Sequence, residues 1–155
     1  MQIDLKNKNA LVCGSTQGIG KASALALAQC GANVTLVARN EQRLIQVKDE
    51  LPNLNNQTHQ LLVADFQSPD ALAKTVHNQL DSSTAFHILV NNTGGPPAGD
   101  IFGASLDEFE SAFTHHLKCN HLLAQAVVPG MKMAGFGRII NVISTSVKQP
   151  LDGLG

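Results

Sequence analysis

The stretch Gly14-Ser15-Thr16-Gln17-Gly18-Ile19-Gly20 decides the fold of this chain. It follows a short apolar run at residues 9–13 and precedes an alanine- and leucine-rich segment of helical spacing at 19–30. Glycines let the backbone turn tightly, and a helix N-terminus presents N–H donors and the positive end of its dipole to a phosphate. We therefore predict that all seven residues of this loop bind the diphosphate of a dinucleotide. A glycine-rich turn without a ligand is the alternative.

Apolar runs and helical segments alternate along the rest of the chain. Strands are predicted at residues 9–13, 33–38, 59–64, 86–90 and 138–143, and helices at 19–30, 41–51, from 69 onward and from 105 to about 134. This order predicts an α/β architecture, a doubly wound parallel sheet of the Rossmann type with helices on both faces.

The fifth predicted strand is apolar on both of its faces. Such a strand expects a neighbour at each edge, and an uncovered edge favours aggregation. Residues 1–155 are therefore predicted to form one dinucleotide-binding Rossmann domain that is incomplete at its C-terminal end, truncated after the fifth strand. Cover of this edge by another chain is the alternative.

The composition argues against several classes of protein. The 155 residues carry a net charge of −1 and are 43% hydrophobic, which predicts one folded domain and no nucleic-acid partner. No apolar run is long enough to predict a membrane span, and the first residues do not resemble a secretory signal. The 3 cysteines form no C-x-x-C pair, so we predict a cytoplasmic protein with reduced thiols.

The residue after the second predicted strand bears on the choice of cofactor. A dinucleotide fold usually has an acidic residue there, which holds a ribose 2′-hydroxyl. This chain has Ala38 and then Arg39 instead, and a guanidinium pairs well with a 2′-phosphate. The sequence therefore predicts NADP rather than NAD. Alternatively, Arg39 only begins the next helix in solvent.

The glycine spacing G-x-x-x-G-x-G resembles that of the short-chain dehydrogenase/reductase family, including members similar to 3-oxoacyl-carrier-protein reductases. Asp65 and Phe66 follow the third predicted strand, where the family has an acid near the adenine. Asn91-Asn92-Thr93-Gly94 is similar to the family's Asn-Asn-Ala-Gly after the fourth strand. The resemblance implies that Asp65 and Phe66, together with Asn92, Thr93 and Gly94, bind the cofactor.

The stretch from Gly137 to Ser144 resembles the family's fifth strand, which ends in a catalytic serine. The resemblance implies hydride transfer between a nicotinamide and the carbon of a ketone or secondary alcohol. Ser144 would hydrogen-bond the substrate oxygen, and His116 stands where the family has an Asn that supports a proton relay. The family's Tyr and Lys would fall beyond Gly155.

Two alternatives follow from these departures, and the resemblance also implies an assembly. The chain could be a non-catalytic NADP(H)-binding module, or an inactive fragment that lacks the family Tyr and Lys. For the enzyme, the resemblance implies a small-molecule carbonyl or alcohol substrate. It also implies a homodimer or homotetramer, formed through the long helical segment at residues 109–131.

Three histidines, His115, His116 and His121, lie close together in that helical segment. Their spacing does not place all three on one helix face, and only Cys119 lies near enough to add a ligand. We predict no metal site.

Overall fold

The computed structural model describes residues 3–80, 85–149 and 151. Five parallel strands form one sheet in the order β3-β2-β1-β4-β5. The strands are β1 (Asn9–Cys13), β2 (Asn33–Ala38), β3 (Gln60–Val63), β4 (Ile88–Asn91) and β5 (Arg138–Asn141). Strands β2 and β3 lie on one side of β1 in the sheet, and β4 and β5 lie on the other side. The carboxyl ends of β1 and β4 therefore flank the point where strand order reverses, the usual ligand crevice of such sheets.

Two of the helices begin at residues whose side chains supply missing hydrogen bonds of the first turn. The side chain of Asn40 accepts a bond from the backbone N–H of Arg43, and Ser105 and Glu108 form a reciprocal capping box. The helices are α1 (Gly18–Gln29), α2 (Glu41–Glu50), α3 (Pro69–Leu80), α4 (Leu106–Phe113) and α5 (Cys119–Met133).

Two apolar cores lie on opposite faces of the sheet. One packs α1 and α2 against the sheet around Ala24, Leu36 and Leu44. The other packs α3 and α5 around Leu72, Leu89 and Leu123. Burial on both faces is what a doubly wound sheet requires, and it confirms the predicted fold class.

The long helical segment predicted from residue 105 is divided in the structure. A π-helical segment, Thr114–Lys118, separates α4 from α5, while α5 continues through Pro129. A π-helical segment inserts an extra residue into the turn, and such insertions are frequent at functional sites. The division turns the side chains of this segment relative to those of a continuous α-helix.

Strand β5 lies at one edge of the described sheet. It pairs with β4, and no other strand among the described residues pairs with its free edge. Ile139 and Ile140 are 39% and 48% exposed. The strand ends at Asn141, two residues earlier than predicted.

Candidate functional site

The glycine loop depends on close contacts that only glycine allows. Gly14 and Gly18 have φ angles of +59° and +54°, in the left-handed region. A Cβ on Gly20 would collide with the carbonyl oxygen of Gly14 and lie 2.7 Å from Nδ2 of Asn92. A Cβ on Gly14 would lie 2.8 Å from the same Nδ2. The loop, the start of α1 and the end of β4 therefore touch backbone to backbone.

Asn92 holds this arrangement from the β4 side. Its Nδ2 donates to the carbonyl oxygens of Cys13 and Gly14, each at 3.3 Å. The amide thus ties the carboxyl end of β4 to the start of the glycine loop. Asn92 supports the loop from behind, and it does not line the cleft in front of it.

A cleft of about 1090 Å³ opens in front of the loop. The strand ends that border it are those of β1, β2, β3 and β4. Eight of the residues predicted to bind a cofactor line it: Gly14, Thr16, Gln17, Arg39, Asp65, Phe66, Thr93 and Gly94. The structure thus brings together residues that are up to 80 positions apart in the sequence.

Four residues of the glycine loop do not line the cleft, namely Ser15, Gly18, Ile19 and Gly20. Ser15 is fully buried, and its N–H and hydroxyl both donate to the carbonyl oxygen of Val37 at 3.4 Å. Its side chain therefore anchors the loop to β2 and has no free donor for a phosphate. Ile19 is 60% exposed on the first turn of α1.

Two guanidinium groups stand at the β2 side of the cleft. Arg39 is exposed just after β2, and Arg43 lies in the first turn of α2. Nη1 of Arg43 donates to Oε1 of Gln17 at 3.4 Å. Neither arginine forms a salt bridge within the described part of the chain. Arg43 was missed by the sequence reasoning, although its position one helical turn after Arg39 is the signal for it.

Asp65 and Phe66 border the cleft beyond β3. Oδ1 of Asp65 accepts a bond from the N–H of Gln67 at 3.0 Å, which fixes the carboxylate beside the turn. Phe66 is buried, and its carbonyl oxygen accepts from Sγ of Cys119 at 3.2 Å. These contacts join the β3 end to the start of α5.

Cys13 lies beneath the glycine loop and is fully buried. Burial, and secondarily the nearby Cys119, raise the pKa of the Cys13 thiol to about 12. The thiol stays protonated near neutral pH, so it packs as a small apolar side chain and is not a nucleophile. This agrees with its place at the end of a strand buried on both faces.

His116 lies in the π-helical segment and contacts Thr93, which follows Asn92. Its Nδ1 is 2.9 Å from Oγ1 of Thr93. Its Nε2 is buried and has no hydrogen-bond partner within the described residues. Burial, and secondarily the adjacent His115, lower the pKa of His116 below its usual value. His115 lines the cleft, whereas His116 lies behind Thr93.

Ser144 follows β5, three residues beyond Asn141, which pairs with Asn91 of β4. It is exposed, and its Oγ lies 2.6 Å from Oγ of Ser146 and accepts from the N–H of Ser146 at 3.1 Å. The hydroxyl therefore caps a short 3-10 turn, Thr145–Val147. Ser144 lies at the carboxyl ends of the strands, as the glycine loop does. It is not among the residues that line the cleft.

A smaller cavity of about 290 Å³ adjoins the cleft. It lies between the loop after Gly95 and helix α4, and the two cavities share Pro96, Pro97, Glu108 and Ala112. The sequence reasoning did not identify it, because the proline-rich loop has no recognisable secondary structure.

No three His, Cys, Asp or Glu side chains lie close enough together to hold a metal ion in residues 3–80, 85–149 and 151. Over the same residues, no helix has the length and apolar character needed to cross a lipid bilayer.

The 3-2-1-4-5 parallel sheet and the glycine loop at its reversal point define a dinucleotide-binding Rossmann domain. The chain belongs to the short chain dehydrogenase family, which it matches over residues 8–155. This confirms the resemblance seen in the glycine spacing and in the motifs after β3, β4 and β5.

Individual relatives support the same family. An uncharacterized oxidoreductase of Mycobacterium tuberculosis is 31% identical over 142 residues, covering 91% of this chain and 54% of the relative. The L-rhamnose 1-dehydrogenase (NADP(+)) of Thermoplasma acidophilum is 30% identical over 149 residues, covering 94% of this chain and 58% of the relative. This chain therefore spans a little over half the length of these two relatives.

A solved structure shows the same fold. The L-sorbose reductase of Gluconobacter frateurii, complexed with NADPH and L-sorbose, superposes with a TM-score of 0.91 at 30% identity. The match covers 99% of this chain and 59% of the reductase. The described strands and helices therefore have the same arrangement as the matched part of this reductase.

Proposed function

We propose that the protein is an NADP(H)-dependent oxidoreductase that transfers a hydride between the nicotinamide and the carbon of a ketone or secondary alcohol. The observation that carries the proposal is the cleft of about 1090 Å³, with the glycine loop at one wall and the unpaired Arg39 at its rim. Family membership and the NADPH complex of the L-sorbose reductase support it.

The residues at this cleft fit a phosphorylated dinucleotide. The close approach of Gly14 and Gly20 leaves no side chain between the backbone and a diphosphate. Arg39 and Arg43 would hold a 2′-phosphate, because no carboxylate of the described chain neutralises either of them. Asp65 would lie near the adenine, and Thr93 and Gly94 would border the nicotinamide end.

When bound, the nicotinamide supplies or accepts the hydride. The work of this chain is to bind and orient the cofactor and to stabilise charge on the substrate oxygen. Ser144 would donate its hydroxyl to that oxygen while its Oγ accepts from the hydroxyl of Ser146, 2.6 Å away. His116 would support movement of a proton behind Thr93, in the place of the family's Asn.

The non-catalytic module and the inactive fragment are less well supported. The relatives named above are an oxidoreductase, a dehydrogenase and a reductase.

We also propose a homodimer or homotetramer in the cytoplasm, formed through α4 and the segment after it. Three large apolar side chains at helical spacing support this assembly. Phe109, Phe113 and Leu117 are 54%, 49% and 58% exposed. An exposed apolar stripe of this kind is typical of a protein interface.

The proposed activity is tested by NADPH oxidation at 340 nm with the complete gene product and a panel of ketones that includes L-sorbose. We expect turnover of at least one ketone. Ser144→Ala should lower kcat by about 100-fold to 1000-fold, the scale of one lost oxyanion donor, and leave NADPH affinity unchanged. If NADPH binds but no ketone is reduced, the proposed function is wrong.

A further inference from the structure

Two departures from the family pattern touch each other in the structure. Thr93 stands where the family's Asn-Asn-Ala-Gly has Ala, and His116 stands where the family has Asn. They are 23 residues apart in sequence, yet Oγ1 of Thr93 and Nδ1 of His116 are 2.9 Å apart. At this distance the hydroxyl and the imidazole form a hydrogen bond, so the donor in this bond and the tautomer of the ring determine each other.

The hydrogen-bond inventory of this pair decides which ring nitrogen carries the proton. Burial lowers the pKa of His116 below its ordinary value, which favours the neutral ring. The neutral ring has one N–H donor and one acceptor. Among residues 3–80, 85–149 and 151, His116 is also the one hydrogen-bond partner of the Thr93 hydroxyl.

If Nδ1 carried the proton, Nε2 would be a buried acceptor without a donor, on the same helical stretch as Oδ1 of Asn120, a second buried acceptor without a donor. If Thr93 donates to Nδ1, the N–H at Nε2 lacks a partner. Two unpaired acceptors do not complement each other, whereas a donor at Nε2 complements the acceptor of Asn120, so the second arrangement is favoured.

We propose that Thr93 is a positioning residue for His116, whose hydroxyl donates to Nδ1 and fixes the ring as an Nε2–H donor. This donor is buried and has no acceptor within the described part of the chain. The family pattern has Ala and Asn at these two positions, so it contains no hydroxyl–imidazole pair there.

Asn120 supplies a complementary group on the same helical stretch. Its Oδ1 is a buried acceptor with no donor in the described structure, and it lies four residues after His116. Side chains at this spacing are neighbours on a helix surface. One water molecule that accepts from Nε2–H and donates to Oδ1 of Asn120 satisfies both groups. Part of this inference, the use of the pair in a proton relay, rests on the proposed function, whereas the tautomer does not.

The test reads the tautomer directly by NMR of the complete gene product labelled with ¹⁵N-histidine. A long-range ¹H–¹⁵N correlation spectrum near neutral pH distinguishes a protonated from an unprotonated ring nitrogen, and His116→Gln assigns the signals. We expect Nε2 protonated and Nδ1 unprotonated in the unmodified protein. Thr93→Val should shift the population toward the Nδ1–H form, and Thr93→Ser should restore the original spectrum.

Thr114→Val is the matched control, because it removes a hydroxyl from the same π-helical segment. The Thr114 hydroxyl donates to Glu110 at 3.4 Å and does not contact His116. We expect no change in the His116 tautomer. An Nδ1–H form in the unmodified protein overturns the proposal even if Thr93→Val fails to fold. An unchanged tautomer in folded Thr93→Val also overturns it. Since no cofactor or substrate is present, absence of ketone reduction leaves this result unaffected.

Discussion

Gly20→Ala is expected to disrupt both the fold around the loop and the binding of NADPH. The added Cβ would collide with the carbonyl oxygen of Gly14 and with Nδ2 of Asn92. The first of these is backbone, so α1 or the loop must move. Overpacking of this kind lowers the free energy of unfolding by about 1–3 kcal/mol. Displacement of the loop should raise the Kd for NADPH by about tenfold or more, since about 1.4 kcal/mol of lost binding energy has that effect.

Chemical denaturation and calorimetric titration with NADPH measure the two effects of Gly20→Ala separately. Gly99→Ala is the matched control, because a Cβ there meets nothing within 4 Å and its φ is not in the left-handed region. The control should retain the stability and NADPH affinity of the unmodified protein. A Gly20→Ala protein that binds NADPH with normal affinity would show that the loop does not hold the diphosphate.

Arg39→Gln is expected to remove most of the preference for NADPH. A hydrogen bond to a charged group contributes about 1.5–3 kcal/mol, so the Kd for NADPH should rise by about 10-fold to 100-fold. The Kd for NADH should not change, because NADH has no 2′-phosphate. Arg43→Gln should raise the Kd for NADPH by up to about fivefold, the scale of a solvent-exposed ion pair. Calorimetric titration with both cofactors measures these constants.

Lys74→Gln is the charge-matched control for the arginine variants. Lys74 is exposed on α3 and does not line the cleft, so its loss removes the same charge from elsewhere on the surface. We expect unchanged affinity for both cofactors. An equal loss of NADPH and NADH affinity in Arg39→Gln would contradict a role on the 2′-phosphate.

The fold was predictable from the sequence because its signals are local. The glycine loop, the apolar run before it and the helical segment after it occupy fewer than 25 consecutive residues. The 33–38 strand prediction matched β2 in full, since a strand buried on both faces is a continuous apolar run. Strand β5 was predicted two residues too long, because Val142 and Ile143 continue the apolar pattern beyond the last pair of the ladder.

The site was less predictable, because it depends on contacts between distant segments. Ser15 belongs to the glycine loop by sequence, yet its hydroxyl is turned into the sheet toward Val37. The contact of Thr93 with His116 depends on the π-helical segment, and no residue pattern in that segment signals the extra residue of the turn. Likewise, Arg43 lines the cleft because α2 lies beside the glycine loop, and its sequence position does not reveal this orientation.

Binding of NADPH at the glycine-loop cleft is the central claim, and a direct comparison of the two nicotinamide cofactors tests it most simply. Calorimetric titration of the unmodified protein with each cofactor gives the two affinities. We predict that NADPH binds about tenfold or more tightly than NADH, as expected for a guanidinium that meets a 2′-phosphate. Equal affinities, or binding of neither cofactor, would contradict the account.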